Sequence, residues 1–304
     1  MGRNPGRSVA VQRRPGNSGA MTQMHVDRRT FLTGALGAGT LVGTMAAPGR
    51  AAEPFTSRRI VVTVRGTGRD VLLIPGLASG PAIWNRAVAA VPGCRWHMVH
   101  VRGFAGLEPQ ANASGPLVQP IADEIARYVE ASRIGRPAIV GHSMGGTLAM
   151  MLGMRGIGAG LMVIDMLPAG AAMLGGTAAG MGFLADQIGG YLTGTVAGRR
   201  YLAQIVAQAP GAQGSDPEVI ANALRDLANI DLGPQLPRIG PPMEVVYAVG
   251  ADREQGAAIA SRFRAAYAGK TGVLLTPIGP SGHMVMGDQP DRFNAELAKF
   301  LKRI

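Results

Sequence analysis

The chain of 304 residues is 47% hydrophobic and 16% charged, with a formal net charge of +11 and one cysteine, Cys94. This composition is typical of a globular protein with a sizeable core and excludes a chain that is disordered along most of its length. A single thiol excludes an internal disulfide, and its place just before a predicted strand favours a buried, inert Cys94.

The first segment in chain order, residues 1–52, is a basic leader with seven arginines, one acidic residue and a net charge of +6. The paired Arg28 and Arg29 precede phenylalanine, leucine and an uncharged, weakly apolar run that ends near Ala47. This pattern is typical of a signal peptide for the twin-arginine export machinery, and small residues favour cleavage near Ala52. The run is too short and too weakly apolar for a stable membrane span. We therefore expect an exported protein, periplasmic or secreted; the alternative is a disordered basic tail.

From residue 58 onward, apolar strand-like runs alternate with amphipathic helical segments. The alternation predicts βαβ units, and hence an α/β domain over residues 53–304 with a mostly parallel central sheet flanked by helices. No dense basic stripe with aromatics indicates nucleic-acid binding, and no Cys or His spacing indicates a metal site. The predicted strands are 60–64, 70–74, 96–101, 136–141, 161–164, 243–249 and 273–278, and the predicted helices are 81–91, 117–132, 143–154, 216–228, 255–268 and 290–302.

Residues 168–237 interrupt this alternation, because they contain no convincing strand and are rich in Gly, Ala, Met and Leu. We interpret them as a helical cap inserted over the sheet. Its apolar side chains either line a pocket for an apolar substrate or only pack within the cap, and the sequence favours neither interpretation over the other. They are Leu167, Met173, Leu174, Met181, Phe183 and Leu184.

The segment from Gly141 to Gly145 has the spacing G-x-S-x-G around Ser143. By itself this motif is weak, because a chain so rich in glycine matches it by chance about one time in five. Its context is more specific, since it follows an apolar strand and opens a helix, as a nucleophile elbow does. Ser143 is therefore the candidate nucleophile, and a glycine-rich turn with a structural serine is the alternative.

His283 is the candidate general base, since a serine hydroxyl needs a base to take its proton. It lies in a glycine-rich loop between the last strand and the last helix, from which it can reach back over the sheet. His142 adjoins the serine but is expected to point along the elbow. A structural histidine is the alternative for His283.

A carboxylate should orient the histidine and stabilise its charged form. Asp252 follows the strand predicted at 243–249, and Asp165 follows the strand predicted at 161–164. We favour Asp252, keep Asp165 as the alternative acid that otherwise supports the insertion, and place Glu254 third.

An oxyanion hole needs two backbone N–H groups directed at one oxygen. Met144, the residue after the serine, is expected to supply one. Leu77, in the loop after strand 70–74, is expected to supply the other, because Gly76 lets that backbone approach closely. A plain loop is the alternative.

Together these residues resemble the α/β-hydrolase family, specifically its esterase-like serine hydrolases with a small cap, over roughly residues 59–304. The resemblance implies a Ser–His–acid triad, no cofactor and a two-step acyl transfer. The sequence departs from the family at Pro75 and His100, where many members have His and Asp, and in having one residue fewer between Gly250 and Asp252. Four blocks carry the likeness: Leu72-Leu73-Ile74-Pro75-Gly76-Leu77, Arg102-Gly103-Phe104-Ala105-Gly106, Gly141-His142-Ser143-Met144-Gly145-Gly146 and Ser281-Gly282-His283.

The expected reaction is hydrolysis of a carboxylic ester of a small, apolar molecule. Two other classes stay open. One is different chemistry on the same site, as in a lactonase, amidase, perhydrolase or carbon–carbon hydrolase. The other is a non-catalytic binding protein of the same fold, since fold alone does not fix function.

Overall fold

The computed structural model describes residues 55–170, 172, 194–207 and 211–304. The leader, residues 1–52, lies outside this part of the chain, so its export signal stays a prediction. Five of the apolar residues considered for the insertion also lie outside it, and their role in lining a pocket stays a prediction too. They are Met173, Leu174, Met181, Phe183 and Leu184.

In the described part of the chain, seven strands form one sheet, and all seven predicted strands are confirmed with small shifts at their ends. They are β1 (Ile60–Arg65), β2 (Arg69–Ile74), β3 (Cys94–Val101), β4 (Ala138–His142), β5 (Gly160–Ile164), β6 (Met243–Ala248) and β7 (Leu274–Ile278). The order across the sheet is β1-β3-β2-β4-β5-β6-β7. Only β1, which runs antiparallel to β3, departs from the parallel arrangement of the described strands.

The register brings the carboxyl ends of the central strands together. Ile74 of β2 pairs with Gly141 of β4, and Gly141 pairs with Val163 of β5. Ile164, at the end of β5, pairs with Val246 of β6. The loops that follow these four strands therefore meet at one edge, where open α/β sheets commonly bind ligands.

All six predicted helices are present in the described residues, together with α4, in the insertion, and α7. The helices are α1 (Asn85–Ala90), α2 (Val118–Ala131), α3 (Met144–Met154), α4 (Val196–Ala207), α5 (Pro217–Asn229), α6 (Arg253–Ala266), α7 (Val285–Asp288) and α8 (Pro290–Arg303). The segment predicted as a helix from residue 81 begins with a 3-10 turn, Pro81–Trp84, before α1. The short α7 was not predicted, because its glycine-rich sequence indicates a loop.

Two apolar layers cover the two faces of the sheet. Leu72 and Ile74 of β2 belong to the layer formed with α2, α3 and α6, whereas Val71 and Leu73 belong to the layer formed with α1 and α8. Successive strand residues point to opposite faces, so a strand that is covered on both sides has a continuous apolar sequence. This burial explains the uninterrupted apolar runs from which the central strands were predicted.

The insertion lies between β5 and β6, and its described part contains α4, α5 and an isolated β-bridge between Ala169 and Asp231. The start of α5 follows from its sequence. Asp216 accepts hydrogen bonds from the N–H groups of Glu218 and Val219, at 2.8 and 3.1 Å, and Pro217 occupies the first helical position. These are the usual residues of a helix N-terminus.

A carboxylate of α5 also caps the helix that crosses beside it. The Oδ2 atom of Asp226 accepts hydrogen bonds from the N–H groups of Leu117 and Val118, at 2.6 and 3.1 Å. Both groups lie at the start of α2, where backbone donors have no partner within the helix. The described part of the insertion is thus bonded directly to a helix that packs on the sheet.

Candidate active site

Ser143 occupies a sharp turn between β4 and α3. Its backbone has φ 53° and ψ −122°, a combination that a non-glycine residue adopts only under strain. A Cβ added to Gly141 would lie 2.1 Å from the carbonyl oxygen of Gly145, and one added to Gly145 would lie 2.1 Å from that of Ile74. Because the turn has no room for a side chain at either position, the G-x-S-x-G spacing is a steric requirement of this elbow.

The loop after β2 packs against this turn. A Cβ added to Gly76 would lie 3.0 Å from the Cβ of Ser143, so the two backbones are nearly in contact. Within the described residues, the N–H groups of Leu77 and Met144 donate to no other protein group. The Met144 N–H also lies in the first turn of α3, at the positive end of the helix dipole. The structure therefore brings the two segments of the predicted oxyanion donors together.

A buried serine from the insertion holds the loop after β2 in place. The Ser79 N–H donates to the Gly76 carbonyl at 3.2 Å, which closes a tight turn in which Ala78 has a positive φ of 57°. The Ser215 hydroxyl donates to the Ala78 carbonyl at 3.0 Å and accepts from the Ala105 N–H at 2.8 Å. Sequence reasoning missed Ser215, because its partners lie more than 100 positions away along the chain.

His283 is hydrogen-bonded to a carboxylate at the same edge of the sheet. Its Nδ1 atom lies 2.7 Å from Oδ2 of Asp165, the residue that follows β5. The other carboxylate oxygen accepts a hydrogen bond from the Ala248 N–H at 3.0 Å, and the Asp165 N–H donates to Val246 at 2.7 Å. Asp165 is buried, whereas 43% of the His283 side chain is exposed. The carboxylate is thus fixed, and it orients a histidine whose ring faces solvent.

The preference for Asp252 as the partner of His283 is therefore corrected in favour of Asp165. Asp252 is exposed and caps α6, accepting a hydrogen bond from the Gln255 N–H at 2.7 Å. Glu254, the third candidate, lies exposed in the first turn of the same helix. A signal for this outcome was present in the sequence, since an aspartate followed three residues later by glutamine is typical of a helix start.

The loop that carries His283 lies against the elbow itself. The rings of His283 and His142 have centroids 4.6 Å apart, and His142 immediately precedes Ser143. Burial, together with a smaller effect of the nearby His283, lowers the pKa of His142 to about 3. His142 is therefore neutral at any ordinary pH. It is buried beside the second histidine, whereas the sequence predicted only that it points along the elbow.

Four further observations concern the described residues. Leu167 is buried beside the start of the insertion, and burial raises the pKa of the Cys94 thiol, in keeping with an inert role. Among the described residues, no three His, Cys, Asp or Glu side chains are grouped to hold a metal ion. No helix in that part of the chain combines the length and the apolar composition needed to cross a membrane.

A mostly parallel sheet with a strained serine at a strand-to-helix elbow, and a histidine–carboxylate pair at the same edge, defines the α/β-hydrolase fold. Residues 71–296 match the sequence model described as the alpha/beta hydrolase family. The chain belongs to that family, which confirms the resemblance found in the sequence. A search of curated protein sequences gives no significant match.

Solved structures with the same fold include hydrolases of esters and lactones. The enol-lactonase from Burkholderia xenovorans has a TM-score of 0.57 and 18% identity, with 80% of this chain and 96% of that one covered. The esterase from Exiguobacterium antarcticum has a TM-score of 0.59 and 19% identity, with coverage of 80% and 95%. A putative aryl esterase from Burkholderia cenocepacia has a TM-score of 0.57 and 18% identity, with coverage of 80% and 94%. At these identities the similarity establishes the fold.

Proposed function

We propose that this hydrolase cleaves carboxylic esters of small, apolar molecules through an acyl-enzyme on Ser143. The observation that carries the proposal is the strained Ser143 beside the loop of His283, whose Nδ1 is held by buried Asp165. Strain at a serine is costly unless the surrounding structure imposes it, and such strain is concentrated at functional sites. The acid of the proposed triad is Asp165.

In the first half of the reaction, Ser143 Oγ attacks the ester carbonyl carbon while His283 Nε2 takes the hydroxyl proton. Asp165 keeps the other proton on Nδ1 and stabilises the imidazolium that forms. The carbonyl oxygen becomes an oxyanion, to which the N–H groups of Leu77 and Met144 donate hydrogen bonds. When the tetrahedral intermediate collapses, the C–O bond breaks and Nε2 gives its proton to the leaving alcohol.

In the second half, water attacks the acyl carbon of the ester on Ser143 while His283 Nε2 takes one proton from the water. The new tetrahedral intermediate collapses, and the proton returns to Ser143 Oγ as the acid product leaves. No cofactor is required, because the two protein groups carry every proton and the serine carries the acyl group. The apolar composition of the insertion is the basis for choosing an apolar substrate.

Labelling with a fluorophosphonate probe tests the proposal. The wild-type protein is expected to be labelled and to hydrolyse p-nitrophenyl acetate. Ser143→Ala is expected to abolish the labelling and to lower kcat roughly 10⁶-fold, the loss typical of a removed serine nucleophile. Ser132→Ala, an exposed residue at the end of α2, serves as the matched control and should label like wild type. Labelling of the Ser143→Ala variant equal to that of wild type would refute the proposed nucleophile. If neither the wild type nor any variant is labelled, the alternative of a non-catalytic binding protein is favoured.

Lactone hydrolysis is the second candidate, and the fold shared with an enol-lactonase favours it. A lactone is a cyclic ester, so the same attack by Ser143 opens the ring and the alcohol stays joined to the acyl group. Comparing kcat/KM for γ- and δ-lactones with that for open-chain esters of equal carbon number distinguishes the two activities.

Export is a separate proposal and rests on the arginine pair in residues 1–52 alone. Replacing Arg28 and Arg29 by lysine in the full chain should stop the appearance of a shortened form outside the cytoplasm, because the export machinery reads the pair. Mass spectrometry of the fractionated wild-type protein should find that form starting near residue 53. An unchanged distribution of the double variant would contradict the proposal.

A further inference from the structure

His142 joins the elbow to the loop of the second histidine through one hydrogen bond. Its Nε2 atom lies 2.9 Å from the backbone carbonyl oxygen of His283. A carbonyl oxygen can only accept, so Nε2 carries the hydrogen and Nδ1 is the unprotonated nitrogen. The two histidines are 141 positions apart along the chain. The bond therefore connects segments that only the fold brings together.

The other ring nitrogen is a buried acceptor without a donor. His142 Nδ1 has no hydrogen-bond partner among the described residues. It faces the loop after β2, where a Cβ added to Gly76 would lie 2.9 Å from this atom. Leaving a buried acceptor unpaired costs about 1–3 kcal/mol, a cost that an apolar side chain of similar size would avoid. Packing alone therefore does not explain why this position has an imidazole. The feature that an apolar side chain could not replace is the Nε2–H donor.

We propose that His142 is a positioning residue that fixes the backbone of His283, so that the ring of His283 is held between Asp165 and Ser143. This inference rests on the proposed function and assigns to His142 a role that the motif alone does not specify. Asp165 fixes the His283 ring only at Nδ1. Since the His283 side chain is 43% exposed, it needs a second fixed point, which the bond to its carbonyl supplies.

The loop residues before His283 have hydrogen bonds of their own. The Ser281 N–H donates to the Val249 carbonyl at 2.9 Å, and the Gly282 N–H donates to Asp288 at 2.8 Å. Both bonds precede His283 in the chain, whereas His142 holds the carbonyl of His283 itself. Because His142 stays neutral, it also adds no positive charge beside the imidazolium that forms on His283 during catalysis.

Three substitutions of His142 separate the donor from the volume of the ring. In His142→Gln the side-chain amide nitrogen can reach the carbonyl that Nε2 reaches, whereas in His142→Asn it extends only to the position of Nδ1. His142→Leu fills the space and has no donor. We expect kcat for p-nitrophenyl acetate to fall about 10- to 100-fold in the Asn and Leu variants, since small misplacements of a reacting group have effects of this size. The Gln variant should stay within about threefold of wild type, with KM little changed in all three.

Proton NMR gives a readout that does not depend on activity. The Nδ1–H proton of His283, hydrogen-bonded to Asp165, should resonate far downfield in wild type and in the Gln variant. It should be broadened or lost in the Asn and Leu variants, while their melting temperatures stay near that of wild type. Wild-type kcat and an unchanged resonance in the Asn and Leu variants would overturn the proposal, as would equal losses in all three. If the wild-type protein neither reacts with fluorophosphonate nor hydrolyses esters, the proposed function fails, and the resonance still decides whether His142 positions His283.

Discussion

Replacing Asp165 by asparagine should lower kcat about 10⁴-fold, the loss expected when the carboxylate of a serine triad becomes an amide. The asparagine keeps the size of the side chain and can still accept a hydrogen bond from the Ala248 N–H. It no longer stabilises the positive charge that forms on His283, and its NH₂ group favours the tautomer with the proton on Nε2, which cannot act as the base. Steady-state kinetics on p-nitrophenyl acetate measure the loss, and KM should change little.

Asp252→Asn is the matched control, since it makes the same chemical change at the carboxylate first favoured from the sequence. Asp252 is exposed, and its carboxylate accepts a helix-capping hydrogen bond from the Gln255 N–H. Asparagine caps helices about as well as aspartate, so activity and stability should remain near those of wild type. If Asp252→Asn has the larger effect on kcat, the assignment of the acid to Asp165 is wrong.

The carboxylate partner of His283 was misassigned because two aspartates follow neighbouring strands, and spacing along the sequence does not say which of them faces the histidine. The backbone conformation at the end of each strand determines which aspartate faces His283. Asp165 has a positive φ of 48°, its N–H donates to the Val246 carbonyl, and its carboxylate accepts from the Ala248 N–H, which together direct the side chain towards His283. Asp252 instead begins α6. A positive φ is uncommon at residues other than glycine, and neither neighbour of Asp165 in the sequence, Ile164 or Met166, indicates a turn at this position.

The strands, the helices and the elbow could be predicted because their signals are local. A strand covered on both faces must be apolar throughout, and the elbow must have small residues two positions before and after its serine. The contacts of the insertion could not be predicted in this way. Ser215 reaches Ala78, and Asp226 reaches the start of α2, through bonds between residues more than 100 positions apart. Hydroxyl and carboxylate side chains are common on surfaces, and neither has a pattern that identifies its distant partner.

Gly141→Ala is the second substitution with a large expected effect. The new Cβ would lie 2.1 Å from the carbonyl oxygen of Gly145 and 2.4 Å from its carbonyl carbon. These are backbone atoms in the first turn of α3. To relieve the clash, the helix must move away from β4, and Ser143 must leave its strained conformation. Such overpacking should cost about 3 kcal/mol in the free energy of unfolding. A shift of the serine by about 1 Å should also lower kcat about 100-fold. Urea unfolding and ester hydrolysis measure the two losses.

Gly135→Ala provides the comparison, because Gly135 lies just before the same strand, is exposed, and has no atom within 4 Å of an added Cβ. Its free energy of unfolding should change by less than about 1 kcal/mol, with unchanged kcat. If Gly141→Ala were equally harmless, α3 could move without disturbing the elbow, and the strain at Ser143 would not depend on tight packing between strand and helix. If only Gly141→Ala lowers the stability and kcat, the lack of a side chain at position 141 is what lets β4 and α3 pack closely together. That packing then holds Ser143 in its strained conformation.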